Sequence, residues 1–136
     1  MTSEFRLYKK QRLCSPTAIE ALFAPSQGST GSALCYPLRA VWRENPGRRS
    51  DAPIAFVIMV PKRRLRHAVD RVLMRRRIRE AFRLHHHECA LPEGIRIDVA
   101  FVYVGNSPQD YGRVRHAMLR LLSDISSFCN QSQSTQ

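Results

Sequence analysis

Three groups of residues in this chain could do chemistry. The first is a run of cations. Lys62, Arg63, Arg64, Arg66, Arg71, Arg75, Arg76, Arg77, Arg79 and Arg83 all lie between Pro61 and Leu84, opposed there only by Asp70 and Glu80. Arginine carries a planar fork of donors that meets two phosphate oxygens at once and also stacks on bases, so a run this dense suits a polyphosphate partner. The second group is HHHEC at 85–89. Adjacent residues at a helix end point in different directions, so they are poor at closing one metal site, and no second ligand group stands out. The third is the set of 11 acidic residues, which are dispersed. Cutting by metal ions needs clustered carboxylates. These patterns point to binding of a polyanion, with no catalytic and no metal-ligating residue in the protein itself.

Composition agrees. A chain of 136 residues is one domain's worth and can bury a core without metals or disulfides. Its 22 Lys+Arg against 11 Asp+Glu give a net charge of +11 and a pI near 10.5, the electrostatic footprint of a nucleic-acid or anionic-surface binder. The longest apolar run, Ile54–Val60, is too short to span a bilayer. The opening MTSEFRLYKKQRL has no apolar core of a secretory signal, so a cytoplasmic protein is expected. Cys14, Cys35, Cys89 and Cys129 are scattered, with no CxxC pair, and read as free thiols of a reducing compartment.

Several elements must position the cations. Ser15–Phe23 reads as a short helix capped by Ser15, with Ile19, Leu22 and Phe23 apolar. Ala33–Arg43 reads as strand, in two pieces about Pro37, and Ile54–Val60 as a buried strand. Residues 25–32 and 44–53 are loops by composition, and 92–94 a turn. Ile95–Val104 is a further strand, with Ile95, Ile97, Val99, Phe101 and Tyr103 on one face. The last helix is expected to start at Ser107 as cap, with Val114, Met118, Leu121, Leu122 and Ile125 apolar. A single domain over 1–129 is expected, followed by a polar, disordered tail at 130–136.

The helix from Ala68 to about His86 carries the cations. At 100° per residue, Met74, Ile78, Ala81 and Phe82 fall together as a core face. Arg75, Arg79 and Arg83 recur every fourth residue as a stripe on another face, with Arg76 beside it and Arg71 at its border. A solvated helix face normally mixes signs, and this one does not. Glu80 is expected to pair with Arg76 or Arg77. A membrane-surface helix would have to pull its apolar face out of the core.

The stretch VPKRRLRHAVDRVLMRRRIREAFRL (60–84) resembles the protein subunit of bacterial ribonuclease P. That family carries R-N-R-x-K-R-x-x-R-E on a helix that follows a strand and a short basic segment. Arg71, Arg75, Arg76, Arg79 and Glu80 match, with Arg75 for the usual Lys; Val72 and Leu73 stand where the family has Asn and Arg. RLCSPTAIEALF (12–23), YPLRAVW (36–42) and IRIDVAFVYV (95–104) fall in the family's order. The resemblance implies an α+β two-layer sandwich, a small mixed sheet with helices and a left-handed βαβ crossover around the basic helix, where the general rule for such crossovers is right-handed. It implies an accessory subunit of a ribonucleoprotein endoribonuclease that removes the 5′ leader of precursor tRNA, with the chemistry and the Mg²⁺ in the RNA subunit and no cofactor in the protein. The partners implied are ribonuclease P RNA and precursor tRNA, with no membrane and no small-molecule substrate. Lys62, Arg63, Arg64, Arg66, Arg71, Arg75, Arg76, Arg79 and Arg83 would contact RNA. Phe23, Tyr36, Arg39 and Trp42 would line a cleft for the single-stranded leader, although Phe23 and Trp42 are equally consistent with plain core packing.

Other classes share part of the pattern. A ribosomal or ribosome-assembly RNA-binding protein has the charge but no need of the Arg71–Glu80 pattern. A helix-turn-helix module would flank the basic helix with a partner helix, where this chain has strands. A standalone RNase would have to work through the histidines.

Overall fold

The computed structural model describes residues 16–23, 30–45, 53–89, 91 and 94–134. The expected cap at Ser15, most of both long loops, and the first two residues of the turn at 92–94 lie outside the described residues. The element order is α1 (Pro16–Phe23), β1 (Thr30–Cys35), β2 (Leu38–Glu44), β3 (Ile54–Met59), α2 (Ala68–His85), a 3₁₀ turn (His86–Glu88), β4 (Ile97–Tyr103) and α3 (Tyr111–Ser134).

The four strands form one mixed sheet in the order β1-β2-β4-β3. β1 and β2 are an antiparallel hairpin across Tyr36 and a cis Pro37, which is the break expected at that proline. β2 pairs antiparallel with β4, and β4 pairs parallel with β3. Parallel neighbours need a crossover, and α2 supplies it between β3 and β4. This is the expected α+β class.

Strand alternation sorts the side chains onto two faces. Leu38, Ala40 and Trp42 of β2, Ile54 and Phe56 of β3, and Ile97, Val99, Phe101 and Tyr103 of β4 join α2 and α3 in the main core. Val41, Ala55 and Ala100 point the other way and pack with Leu22 of α1 in a smaller cluster, joined by Ile19, Val57, Met59 and Val102. β3 is apolar throughout: Ile54 and Phe56 are buried in the main core and Ala55 in the smaller cluster, while Val57 and Met59 are half-buried on the α1 face.

Phe82 of α2 stands at the middle of the main core. Its ring lies 4.4 Å from Phe56, 5.6 Å from Phe101 and 5.1 Å from His86, the last stacked nearly parallel. His86 is thus used in packing, and among the described residues no group of three His, Cys, Asp or Glu could hold a metal ion. No helix among them is long and apolar enough to cross a membrane.

Three details differ from expectation. α3 starts at Tyr111, not after Ser107: the Asp110 carboxylate accepts from the Arg113 amide at 2.9 Å and caps the helix, while the Ser107 carbonyl accepts from the Tyr103 hydroxyl. α3 then runs to Ser134, well into the stretch expected to be a tail. Once a helix is nucleated each added residue costs little, and Asn130 donates back to the Ser126 carbonyl at 2.8 Å. Trp42 is core. Gly31 pairs with it across the hairpin, and a side-chain carbon at Gly31 would come within 2.6 Å of the indole.

Burial also sets the acid–base character of the core. It pushes the Cys89 thiol up to about 12 and the Cys129 thiol up to about 11, so neither is a nucleophile near neutrality. It pushes the Tyr103 phenol up to about 12.

Two outcomes are expected. Phe82→Ala should cost about 3–5 kcal/mol in urea unfolding, the range for losing a buried aromatic ring. Cys89, Cys129 and Tyr103 have ordinary values of 9.0, 9.0 and 10.0, all below their folded ones. The unfolded chain therefore gives up protons that the folded chain keeps. Stability is full below about pH 9 and falls as pH rises from there towards about 12. The melting temperature should drop across this range, and replacing both cysteines by Ala should flatten the early part of the drop.

Candidate nucleic-acid interface

The cations sit on a platform that is rigid for identifiable reasons. Met74, Ile78, Ala81 and Phe82, the predicted core face of α2, are the buried residues of that helix. The opposite side is turned to solvent. Arg75, Arg76 and Arg79 are exposed there, and no carboxylate among the described residues pairs with them. Val69 and Val72 share this side at 77% and 49% exposure, so the family's Asn position is held by an apolar side chain in solvent.

The basic segment before α2 is held at both ends. Leu65 is buried, and the Pro61 carbonyl accepts from the Arg64 and Leu65 amides. Arg71 reaches back from the first turn of α2 and donates to the carbonyls of Leu65 and Arg66, both at 2.9 Å. Its guanidinium orders the loop. Arg64 donates to the Asn106 side chain at 3.3 Å. Lys62, Arg63 and Arg66 are left exposed at the edge of the same platform.

Glu80 does not pair with Arg76 or Arg77. It takes two bonds from Arg83, at 2.5 and 3.0 Å, one turn on. The hydrogen bond from Arg83 holds its carboxyl below the usual range. Arg77 is used elsewhere, donating to the Gln109 carbonyl ahead of α3. A helical wheel brings three arginines near Glu80 and cannot choose among them. Tertiary contacts decide, because Arg77 faces α3 and Arg76 faces water.

The four expected cleft residues are not brought together. Arg39 is exposed on the α1 face of the sheet, and Phe23, 47% exposed, ends the helix that covers that face. Tyr36 is at the hairpin turn, its hydroxyl 3.5 Å from Gln109 Nε2. Trp42 lies on the opposite face against Phe128 of α3, ring centres 5.7 Å apart, and cannot stack on a strand bound beside Arg39. Alternation says that one face of β2 is buried and does not say which helix buries it. Sequence reasoning missed the true neighbours of Arg39. The register sets Leu34, Arg39, Val102 and Met59 side by side across the sheet, a half-exposed apolar row with one cation in it. The face assigned in β4 to Ile97, Val99, Phe101 and Tyr103 put Val102 on the opposite side, whereas β3, read as continuously apolar, gave no such signal for Met59.

A family model described as Ribonuclease P matches residues 7–126. Ribonuclease P protein components from two strains of Porphyromonas gingivalis are each 32% identical to this chain over 124 residues, covering 89% of it and 87% of their own length. The fold is similar to that in a structure of Staphylococcus aureus RNase P protein, with a TM-score of 0.64 at 15% identity over 88% of this chain and 97% of that one. A basic helix between two parallel strands, the Arg71–Glu80 pattern along it and these likenesses over nearly the whole length lead to one conclusion: the chain belongs to the ribonuclease P protein family.

Proposed function

We propose that this protein is the subunit of ribonuclease P that docks on the catalytic RNA and holds the 5′ leader of precursor tRNA while the RNA cuts it. The observation that carries this reading is the cationic surface of α2 and the loop before it, on which Arg75, Arg76 and Arg79 are exposed with no carboxylate partner among the described residues. Folded RNA is held mostly through its phosphates and its shape. Arg75, Arg76 and Arg79 would meet phosphates directly, with Lys62, Arg63 and Arg66 extending the contact. Arg71 and Arg83 act one step back, Arg71 by ordering the loop and Arg83 through Glu80. Rigidity matters because cations fixed in advance lose little freedom on binding.

The leader would cross the α1 face of the sheet along Leu34, Arg39, Val102 and Met59, with Phe23 and Tyr36 at its margins. A cation among apolar side chains suits a single strand, whose backbone is anionic and whose bases have apolar faces. The cutting centre and its Mg²⁺ would belong to the RNA subunit, and the protein's own carboxylates are dispersed along the sequence.

Precursor-tRNA cleavage at low Mg²⁺ tests the whole reading. Cleavage by protein and ribonuclease P RNA together, and by neither alone, is the expected result. No stimulation would favour a ribosomal or assembly role. Arg75→Ala with Arg79→Ala should lower the log–log salt slope of RNA binding by roughly 1.4–1.8, since each phosphate contact adds about 0.7–0.9. An unchanged slope would remove α2 from the interface. Arg39→Ala should weaken binding of leader-bearing precursor several-fold and leave mature tRNA unaffected; equal losses for both would place the leader elsewhere.

A further inference from the structure

Further cations lie on α3, where Arg113, Arg115 and Arg120 are exposed, Arg120 within 3.9 Å of Asp124. The helix is joined to α2. Arg77 meets Gln109, Arg115 Nε donates to His85 Nε2 at 3.3 Å, and Cys89 Sγ donates to the Leu122 carbonyl at 3.4 Å. Positions on the two helices climb together, so α2 and α3 run side by side in the same direction. Beside the His85–Arg115 contact the seam opens into a cavity of about 260 Å³ lined by His85, Leu119, Leu122, Ser123, Ser126 and Ser127.

The lining says what would fit. The space is many times the roughly 10–15 Å³ that one water needs on this measure, so it has room for a planar ring. Leu119 and Leu122 are the apolar part of the lining and Ser123 and Ser127 bring exposed hydroxyl positions, while the Ser126 hydroxyl accepts from Asn130 at 3.3 Å and His85 Nε2 accepts from Arg115. An apolar floor with a few convergent polar groups is the usual make-up of a small-ligand pocket. Among the described residues no carboxylate lines it, and Arg115 stands against one of its walls. A flat apolar face, a polar edge and a cation at the side are the recognition needs of a nucleotide. One arginine is a weak hold on a free mononucleotide. A nucleotide within an RNA already docked on α2 needs no more, because the rest of the contact keeps it in place.

We propose that the α2–α3 seam receives one unstacked nucleotide of the RNA docked on α2, its base against Leu119 and Leu122, its edge on Ser123 and Ser127 and its phosphate at Arg115. This rests on the docking reading above.

Ser123→Phe fills the pocket from an exposed position, and Arg115→Ala removes the cation and leaves the pocket open. Both are compared with wild type and with Arg75→Ala/Arg79→Ala in binding to ribonuclease P RNA across a salt series, with circular dichroism as a check on folding. Ser123→Phe should weaken binding about tenfold, the size of one lost base contact, without changing the salt slope. Arg115→Ala should lower the slope by roughly 0.7–0.9. Chemical probing of the RNA should show one nucleotide protected by wild type and exposed with Ser123→Phe. Unchanged affinity and probing with Ser123→Phe, while Arg75→Ala/Arg79→Ala weakens binding, would overturn the pocket and leave the docking face standing. No effect of either variant would bring down both. Saturation of the seam by AMP, CMP, GMP or UMP at micromolar concentration, with no RNA present, would mark a mononucleotide site and overturn the proposal as stated.

Discussion

Six arginines on the eighteen residues of α2 repel one another, and several are spaced at i, i+4 on the same side. Each such pair costs about 0.2–0.5 kcal/mol on an isolated helix, so the helix would be marginal alone. Burial of Met74, Ile78 and Phe82 outweighs this, at roughly 1.5–3 kcal/mol for each large apolar side chain taken out of water. The helix exists because its other side is locked into the sheet. Much of the rest follows from that arrangement. β3 and β4 are parallel because α2 joins them, and α3 lies alongside to complete the core. Arg71 and Arg77 spend their charge on backbone carbonyls at the helix borders, where they tie α2 to its neighbours.

That lock also divides the sheet's labour. The face under α2 and α3 carries nearly all the large apolar side chains, Trp42 among them, and is closed to any ligand. The face under α1 holds small or half-buried residues, because an eight-residue helix cannot cover four strands. Among the described residues, sheet surface is left open beside α1, and Arg39 is on it. One face is spent on stability, so the other can be incomplete. The cationic surface of α2 and the open face of the sheet are therefore separate surfaces on one body, as the proposed docking on one RNA while holding a second requires.

How much of this was legible in the sequence depends on how local the signal is. The core side of α2 was legible in full, since a 3.6-residue period in Met74, Ile78, Ala81 and Phe82 is a property of one segment. The hairpin break at Pro37 was legible for the same reason. Trp42 was not, because period two shows only that Leu38, Ala40 and Trp42 share a face. Which face they share depends on where α1 and α3 come to rest. Gly31 held the missing clue, and it becomes readable only when the register places it opposite Trp42. The partner of Glu80 and the start of α3 failed in a related way. Each had several locally adequate answers, Arg76, Arg77 or Arg83 in one case and Ser107 or Asp110 in the other. Tertiary contacts at Gln109 and Tyr103 decided between them.

The seam between α2 and α3 is a consequence of the same geometry that no single segment announces. On its own, α3 is an amphipathic helix with a few arginines, well short of the density on α2. Set parallel to α2, it brings Arg115 against His85 and extends the cationic surface sideways. Bound phosphates would then act on both helices. They would relieve the repulsion along α2, which is a cost in the free protein, and also neutralise the α3 side. Salt weakens exposed like-charge repulsion as it weakens phosphate binding. Low ionic strength is thus the condition in which the free protein is most strained electrostatically and the bound one gains most. The repulsion that Arg75, Arg76 and Arg79 add to α2 would be offset by a polyanionic partner, and that is the strongest physical reason to read this surface as an interface.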